Sequence, residues 1–228
     1  MNSIAGNLLR LILGLPGFLP GIILHELSHA VAADRLGDPT AKHRGRITLR
    51  PEAHIDPLGA IVYVLSSLFS PFAFGWAKPV PINPLNFRNP RRDFALSSLA
   101  GPVCNLLQIG VWAVLMRLLR PDLVAGRSIG AALFVTASST DVLGIILTHA
   151  LLINAVLCCF NLIPIPPLDG SRVLAYVLPE RQAQFLDRLE PIGFYIVIML
   201  LMMGALDFIS PLIVGIADLF LRLLSLTT

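Results

Sequence analysis

The sequence predicts an all-α, polytopic membrane protein of about five or six membrane segments, built on a three-helix core, with a short β-hairpin after the first span. Two observations carry this. Of the 228 residues, 55% are hydrophobic and 14% charged, and the mean hydropathy is +0.77, whereas a soluble domain is about 25% charged. The charges are also gathered into four stretches, 34–56, 78–93, 117–127 and 172–190, while 57–77, 94–116 and 142–168 contain no Asp, Glu, Lys or Arg. An α-helix rising about 1.5 Å per residue needs about 20 apolar residues to cross the hydrocarbon. This composition excludes a disordered chain, a nucleic-acid module and an ordinary cytosolic enzyme. The length allows one integral-membrane domain over 1–228, with a core at about 8–175 and a helical C-terminal part at 190–226.

The elements follow in order. Residues 11–33 read as an uncleaved span. No basic n-region precedes them, Arg10 sits beside the apolar run, and no small-residue cleavage site follows. Pro16 and Pro20 kink or start that helix. Residues 38–56 alternate polar and apolar around Gly45, which predicts a hairpin of 40–44 with 46–50. The loop 78–92, with four prolines and three asparagines, must be extended and turn-rich. The core spans are placed at 8–34, 94–117 and 142–168, the last unwound at its end by Pro164, Pro166 and Pro167. The run 191–217, broken by Asp207 with Ser210-Pro211 after it, is either one tilted span with a tail or two helices. Cys104, Cys158 and Cys159 lie in apolar runs without CxxC spacing and read as small buried thiols.

One constellation carries chemistry. His25-Glu26-Leu27-Ser28-His29 has the spacing H-E-x-x-H. Positions i and i+4 of a helix share a face. Two imidazoles there can bind one Zn²⁺, and the intervening Glu can take a proton from water. A Glu between two His inside an apolar span is costly to bury unless paired or metallated. A catalytic zinc needs a third protein ligand. The candidates near apolar segments are Asp169, His149, Asp141, His54, His43 and the cysteines. Asp169 stands out, because it ends the proline-broken stretch Asn161-Leu-Ile-Pro-Ile-Pro-Pro-Leu-Asp169-Gly170, and a helix broken at membrane depth must line a cavity or pack on protein. A plain Asp-Gly loop turn is the competing reading. His149 reads as a satisfied interior histidine, and His43 as a residue near the mouth of the site.

The pairing of His25-Glu26-x-x-His29 with Asn161-x-x-Pro164-x-Pro166-x-Leu168-Asp169-Gly170 resembles the site-2 protease family of intramembrane zinc metalloproteases. Gly75-Trp76-Ala77-Lys78-Pro79-Val80-Pro81, Ala100-Gly101-Pro102-x-x-Asn105 and His54-Ile55-Asp56-Pro57-Leu58-Gly59 are similar to motifs of its short bacterial and archaeal members, which lack a PDZ domain. The resemblance covers most of 20–180. It implies one Zn²⁺ per chain held by His25, His29 and Asp169, with Glu26 as general base. It also implies that Asn161 and Asn105 hold the substrate backbone or stabilise the oxyanion. His54, like His43, is expected near the cytoplasmic mouth, as a candidate to gate access, to bind a second ion or to contact the substrate. The expected hairpin is similar to the family's β element that holds an extended substrate, so its edge strand would capture the unwound segment by β-addition.

The implied function is hydrolysis of peptide bonds in or near transmembrane segments. The partners are a transmembrane protein or peptide substrate and the lipid bilayer, with no nucleic acid. An inactive relative that holds membrane proteins is the alternative, and a metal transporter a weaker one; the intact Glu26 favours the protease. If the H-E-x-x-H and Asp169 motifs meet at one depth, the first and third core spans run the same way. Loops 34–56, 78–93 and 172–190 then share a side and hold most of the Lys and Arg, which makes that side cytoplasmic in a cell membrane. Segment 57–77 then has both flanks on one side. It is expected to be a re-entrant or surface-lying hairpin broken near Ser66-Ser67 or Ser70-Pro71, with a plain extra span as the alternative.

Overall fold

A computed structural model of the chain describes residues 4–69, 75–125, 128–137 and 141–225. The helices are α1 (Ile4–Leu36), α2 (Thr40–His43), α3 (Pro57–Phe69), α4 (Pro90–Leu119), α5 (Pro121–Ala125), α6 (Ile129–Ala137), α7 (Val142–Asn161), α8 (Asp169–Val177), α9 (Glu180–Met202) and α10 (Ser210–Ser225). Helices α1, α4 and α7 pack on one another and form the core, with α8 laid against α4 and α10 against α7. The described residues are helical and irregular, with no sheet. The chain is a polytopic all-α membrane protein.

Helix α4 shows why. Its buried residues include Ser97, Ser98, Gly101, Asn105 and Gln108, while Val103, Leu107, Val111, Val114 and Leu118 are exposed on the opposite face. That is the reverse of a helix facing water, and it suits a lipid exterior, where polar groups must find partners inside the bundle. Asn89 caps α4 by accepting from the backbone of Arg92, and Pro90 takes the first position, where no intrahelical donor is needed. An apolar cluster of Ile109, Ala113, Met116, Leu147, Leu151 and Leu221 fills the space between α4, α7 and α10.

The approach of α1 to α7 depends on Gly17 and Gly21, four residues apart. A Cβ on Gly17 would lie 2.5 Å from the Ala150 Cβ, and one on Gly21 would lie 3.3 Å from Asn154 Oδ1. This is the small-residue spacing that lets two membrane helices touch backbone to backbone.

Among the described residues four helices are long and apolar enough to cross a membrane, at Gly6–Leu36, Pro90–Leu119, Val142–Asn161 and Asp207–Ser225. The expected five or six membrane segments also counted shorter ones, and Pro57–Phe69 is a further apolar helix below crossing length. The 13 described residues of α3 span about 20 Å, against a hydrocarbon thickness of about 30 Å. Helix α9 opens with a charged half, Glu180 to Glu190. The C-terminal run is two helices, separated by Met203 to Ile209 with Gly204 at φ 68°. Helix α7 ends at Asn161, not at 168, because the three prolines that follow remove the donors a helix needs. Helices α5, α6 and α8 were not expected from the pattern.

The hairpin of 40–44 with 46–50 is not formed. Asp38-Pro39-Thr40 starts a helical turn instead: Asp38 Oδ1 accepts from the Thr40 backbone N–H at 3.1 Å and from its hydroxyl at 2.5 Å. Gly45 then turns the chain at φ 65°. The extended pairing lies elsewhere, as an antiparallel bridge between Ile55 and Ala77, reinforced by the Lys78 N–H donating to His54 O at 2.8 Å. The flanks of α3 are thus joined, and the segment goes out and returns. No break occurs at Ser66-Ser67, which lie within α3 and donate to Tyr63 O; the proposed break at Ser70-Pro71 lies outside the described residues.

Candidate metal centre

His25 and His29 face inward from α1 toward α4, and the end of α1 is fixed by Asp38. The packing under the two rings needs Gly101 of α4. A Cβ there would lie 2.6 Å from His25 Cε1 and nearer still to His29 Nε2. Asp169 arrives at the first turn of α8, across from both rings. Gly170 allows this, because a Cβ on it would press to 2.6 Å from Ile163 O in the proline-rich turn.

The resulting geometry is a near-equilateral triangle. His25 Nε2 and His29 Nε2 are 3.1 Å apart, and each is 3.3 Å from Asp169 Oδ2. Both imidazoles are buried. Their other nitrogens are already engaged: His25 Nδ1 with Asn105 Oδ1 at 2.6 Å and His29 Nδ1 with Ser97 O at 2.7 Å. Both partners are acceptors, so both Nδ1 atoms carry a proton, and in the neutral rings both Nε2 atoms present lone pairs. Asp169 Oδ2 is buried and accepts no hydrogen bond. With both rings neutral, three electron-pair donors converge, an arrangement that a metal cation among them would satisfy.

The fit to zinc is close. Tetrahedral zinc with N and O ligands at about 2.0–2.1 Å separates its ligand atoms by roughly 3.3–3.4 Å, near the 3.1–3.3 Å seen here. Two imidazoles and one carboxylate also form a donor set with a fourth position to spare.

Glu26, next to His25, is half-buried and accepts from the Val80 N–H at 3.2 Å. The segment carrying Val80 is clamped by Arg46, whose guanidinium donates to Lys78 O at 2.5 Å and to Pro79 O at 3.1 Å. Burial lowers the Arg46 pKa, and the Glu26 charge opposes that shift. The other end of the loop is tied to Asp38, which accepts from the Asn83 backbone at 2.7 Å and from the Asn86 amide at 2.8 Å. Burial alone would raise the Asp38 pKa, but bonds from Thr40, Asn86 and Asn83 hold its carboxyl below the usual range.

The other sequence candidates fall in different places. Asn105 is fully buried behind His25, with its amide spent on His25, on Gly21 O at 3.1 Å and on Asn154 Oδ1 at 2.9 Å. Its amide groups are thus engaged inside the bundle. His54 is also fully buried, with Nε2 engaged by Thr48 O at 2.8 Å and its carbonyl by Lys78. Both contacts lie within the segments 48–54 and 78 that flank α3. Asn161 donates to Leu157 O of its own helix and makes no hydrogen bond to the triad. His149 bonds to Ile145 O, His43 is exposed, and Asp141 pairs with Arg120 at the start of α7. The sequence reading missed Ser97, Asn154, Val80 and Arg46. Ser97 acts through its backbone carbonyl and Asn154 through an interior amide, which no motif announces; Val80 lies in the Gly75–Pro81 motif but acts through its backbone N–H, and Arg46 is one of nine charges in 34–56.

Peptidase family M50 matches residues 124–204, a stretch that includes Asp169. A relative in Bacillus subtilis (strain 168), named "Putative zinc metalloprotease YwhC", is 36% identical over 192 residues, covering 83% of this chain and 76% of its own length. "Putative zinc metalloprotease Rip2" of Mycolicibacterium smegmatis is 30% identical over 201 residues, covering 86% of this chain and 69% of its own length. The protein of the same name in Mycobacterium tuberculosis is 31% identical over 172 residues, covering 73% and 58%. No solved structure matches the chain.

Proposed function

This chain belongs to peptidase family M50, the site-2 proteases, and is an intramembrane zinc metalloprotease; from that premise we propose that His25, His29 and Asp169 hold its zinc and Glu26 is its general base. The observation that carries the proposal is the triangle of lone-pair donors at 3.1–3.3 Å with both Nδ1 protons turned away from it. A zinc ion held there supplies Lewis acidity, making water nucleophilic near neutral pH and polarising the scissile carbonyl.

The remaining work belongs to the chain's own side chains. Glu26 accepts the proton of the attacking water and returns it to the leaving amine. Its carboxylate is held by the Val80 N–H, which the Arg46 clamp keeps in place. Buried Asn105 and the Ser97 carbonyl orient the two imidazoles. The substrate is a transmembrane or membrane-proximal segment, locally unwound so that its carbonyl is free of helical hydrogen bonds. The side bearing the loops 34–56, 78–93 and 172–190 faces the cytoplasm of a cell membrane, by its excess of Lys and Arg.

The test is cleavage of a single-span substrate by the protein in lipid vesicles, together with zinc content. Glu26→Gln should keep zinc and lose about 10²–10⁴-fold in rate, while His25→Ala, His29→Ala and Asp169→Ala should each lose zinc. Equal processing by wild type and Glu26→Gln would defeat the assignment.

A further inference from the structure

We propose that Asn154 of α7 is a positioning residue for the zinc site, acting through Asn105 to fix the tautomer of His25. The inference rests on the reading of His25 as a zinc ligand and goes beyond it, because Asn154 is no part of the triad. Three side chains form a file across the core. Asn154 Nδ2 donates to Ala150 O at 2.9 Å, Asn105 Nδ2 donates to Asn154 Oδ1 at 2.9 Å, and Asn105 Oδ1 meets His25 Nδ1 at 2.6 Å. Asn154 and Asn105 are both fully buried, so water does not substitute for these partners.

The direction of the file is dictated by backbone. Ala150 O can only accept, so the NH₂ of Asn154 must face it and its oxygen must face Asn105. That oxygen, together with Gly21 O at 3.1 Å, demands the NH₂ of Asn105 on that side. The Asn105 oxygen is then left for His25, which can meet it only with a protonated Nδ1. Nε2 is thereby left bare, as a metal ligand requires. Two carbonyls on α1 and α7 thus set which nitrogen of His25 can bind zinc. Gly21 makes room for the file, since its Cβ would crowd Asn154 Oδ1 at 3.3 Å.

The test is zinc affinity, measured by chelator competition on the full-length protein. Asn154→Leu should weaken zinc binding about tenfold, and Asn105→Ala by about 10–100-fold, the usual cost of losing an orienting partner. Asn154→Asp keeps the shape and, in its neutral form, both polarities; it should stay within a few-fold of wild type. In an Asn105→Ala background, Asn154→Leu should cost nothing further, which a merely structural role would not predict. Asn154→Ala adds no bulk and reads the same loss if the Leu variant does not accumulate. Wild-type affinity in Asn154→Leu and Asn154→Ala, or an undiminished loss in the Asn105→Ala background, would overturn the proposal. His25→Ala separates the two readings. If it loses zinc while the Asn154 variants keep it, only the relay fails; if it keeps zinc, the ligand assignment itself fails.

Discussion

Glycine 101 shows how much one missing side chain decides. The two imidazoles lie where its Cβ would be, so Gly101→Ala must push them apart or push α4 away. Repacking of this kind costs about 1–3 kcal/mol, and here it falls on ligand geometry. The expected outcome is a clear loss of zinc affinity with helix content unchanged, checked by chelator competition and circular dichroism. The motif around Gly101 was visible in the sequence, but its reason was not, because nothing in a one-dimensional pattern says which helix will press on a given glycine. Asn105 makes the same point. Its motif position was legible, while its partners His25, Gly21 and Asn154 were not, because they come from two other helices.

Among the elements, residues 78–86 ahead of α4 are tied at several points to Glu26, Asp38 and Arg46. Asp38 receives four hydrogen bonds, two from Thr40 and one each from Asn83 and Asn86. Removing such a buried acceptor leaves donors unmatched at about 1–3 kcal/mol, so Asp38→Ala should lower the thermal midpoint. The pH dependence has a definite sign. The folded pKa is depressed, so the stability Asp38 contributes is complete above about pH 4, the unfolded value, and is lost as pH falls through the folded one. The gap in melting temperature between wild type and Asp38→Ala should therefore close on acidification below pH 4, measured by thermal melts across that range. A gap that stays constant would refute the clamp. The hairpin expected at 40–50 failed at this same place. Alternation of polar and apolar residues is shared by a strand and by an irregular loop laid on a surface, and the Asp-Pro-Thr sequence, which starts a helical turn, was the stronger local signal.

For the whole molecule, the joined flanks of α3 fix an aspect of topology. Because Ile55 pairs with Ala77 and Lys78 with His54, cysteines placed at 52 and 88 should be labelled by an impermeant reagent from the same side of sealed vesicles. Labelling from opposite sides would contradict the pairing. A zinc ion held by His25, His29 and Asp169, as proposed, would also tie together elements remote in sequence, α1 and α8. At a zinc concentration one hundred times Kd, the ion should stabilise the fold by about 2.7 kcal/mol, so stripping it with a chelator should lower the melting temperature, and re-addition should restore it. Asp169→Ala should show no such response.

The sequence by itself determined the solvent, the chemistry and the order of the motifs. Apolar runs long enough to cross a bilayer, and a Glu flanked by histidines within one of them, follow from residue types and spacing that no packing arrangement alters. Proline cannot donate, so the break after Asn161 was likewise legible. What only the tertiary structure decided is which groups face one another: Asp169 against His25 and His29, Val80 against Glu26, Asn154 against Asn105, and the return of the α3 segment to its starting point. Those contacts join positions far apart along the chain, and they depend on how closely helices approach at Gly17, Gly21 and Gly101. That approach is set by side-chain volume on two helices at once, so neither helix's sequence contains it alone.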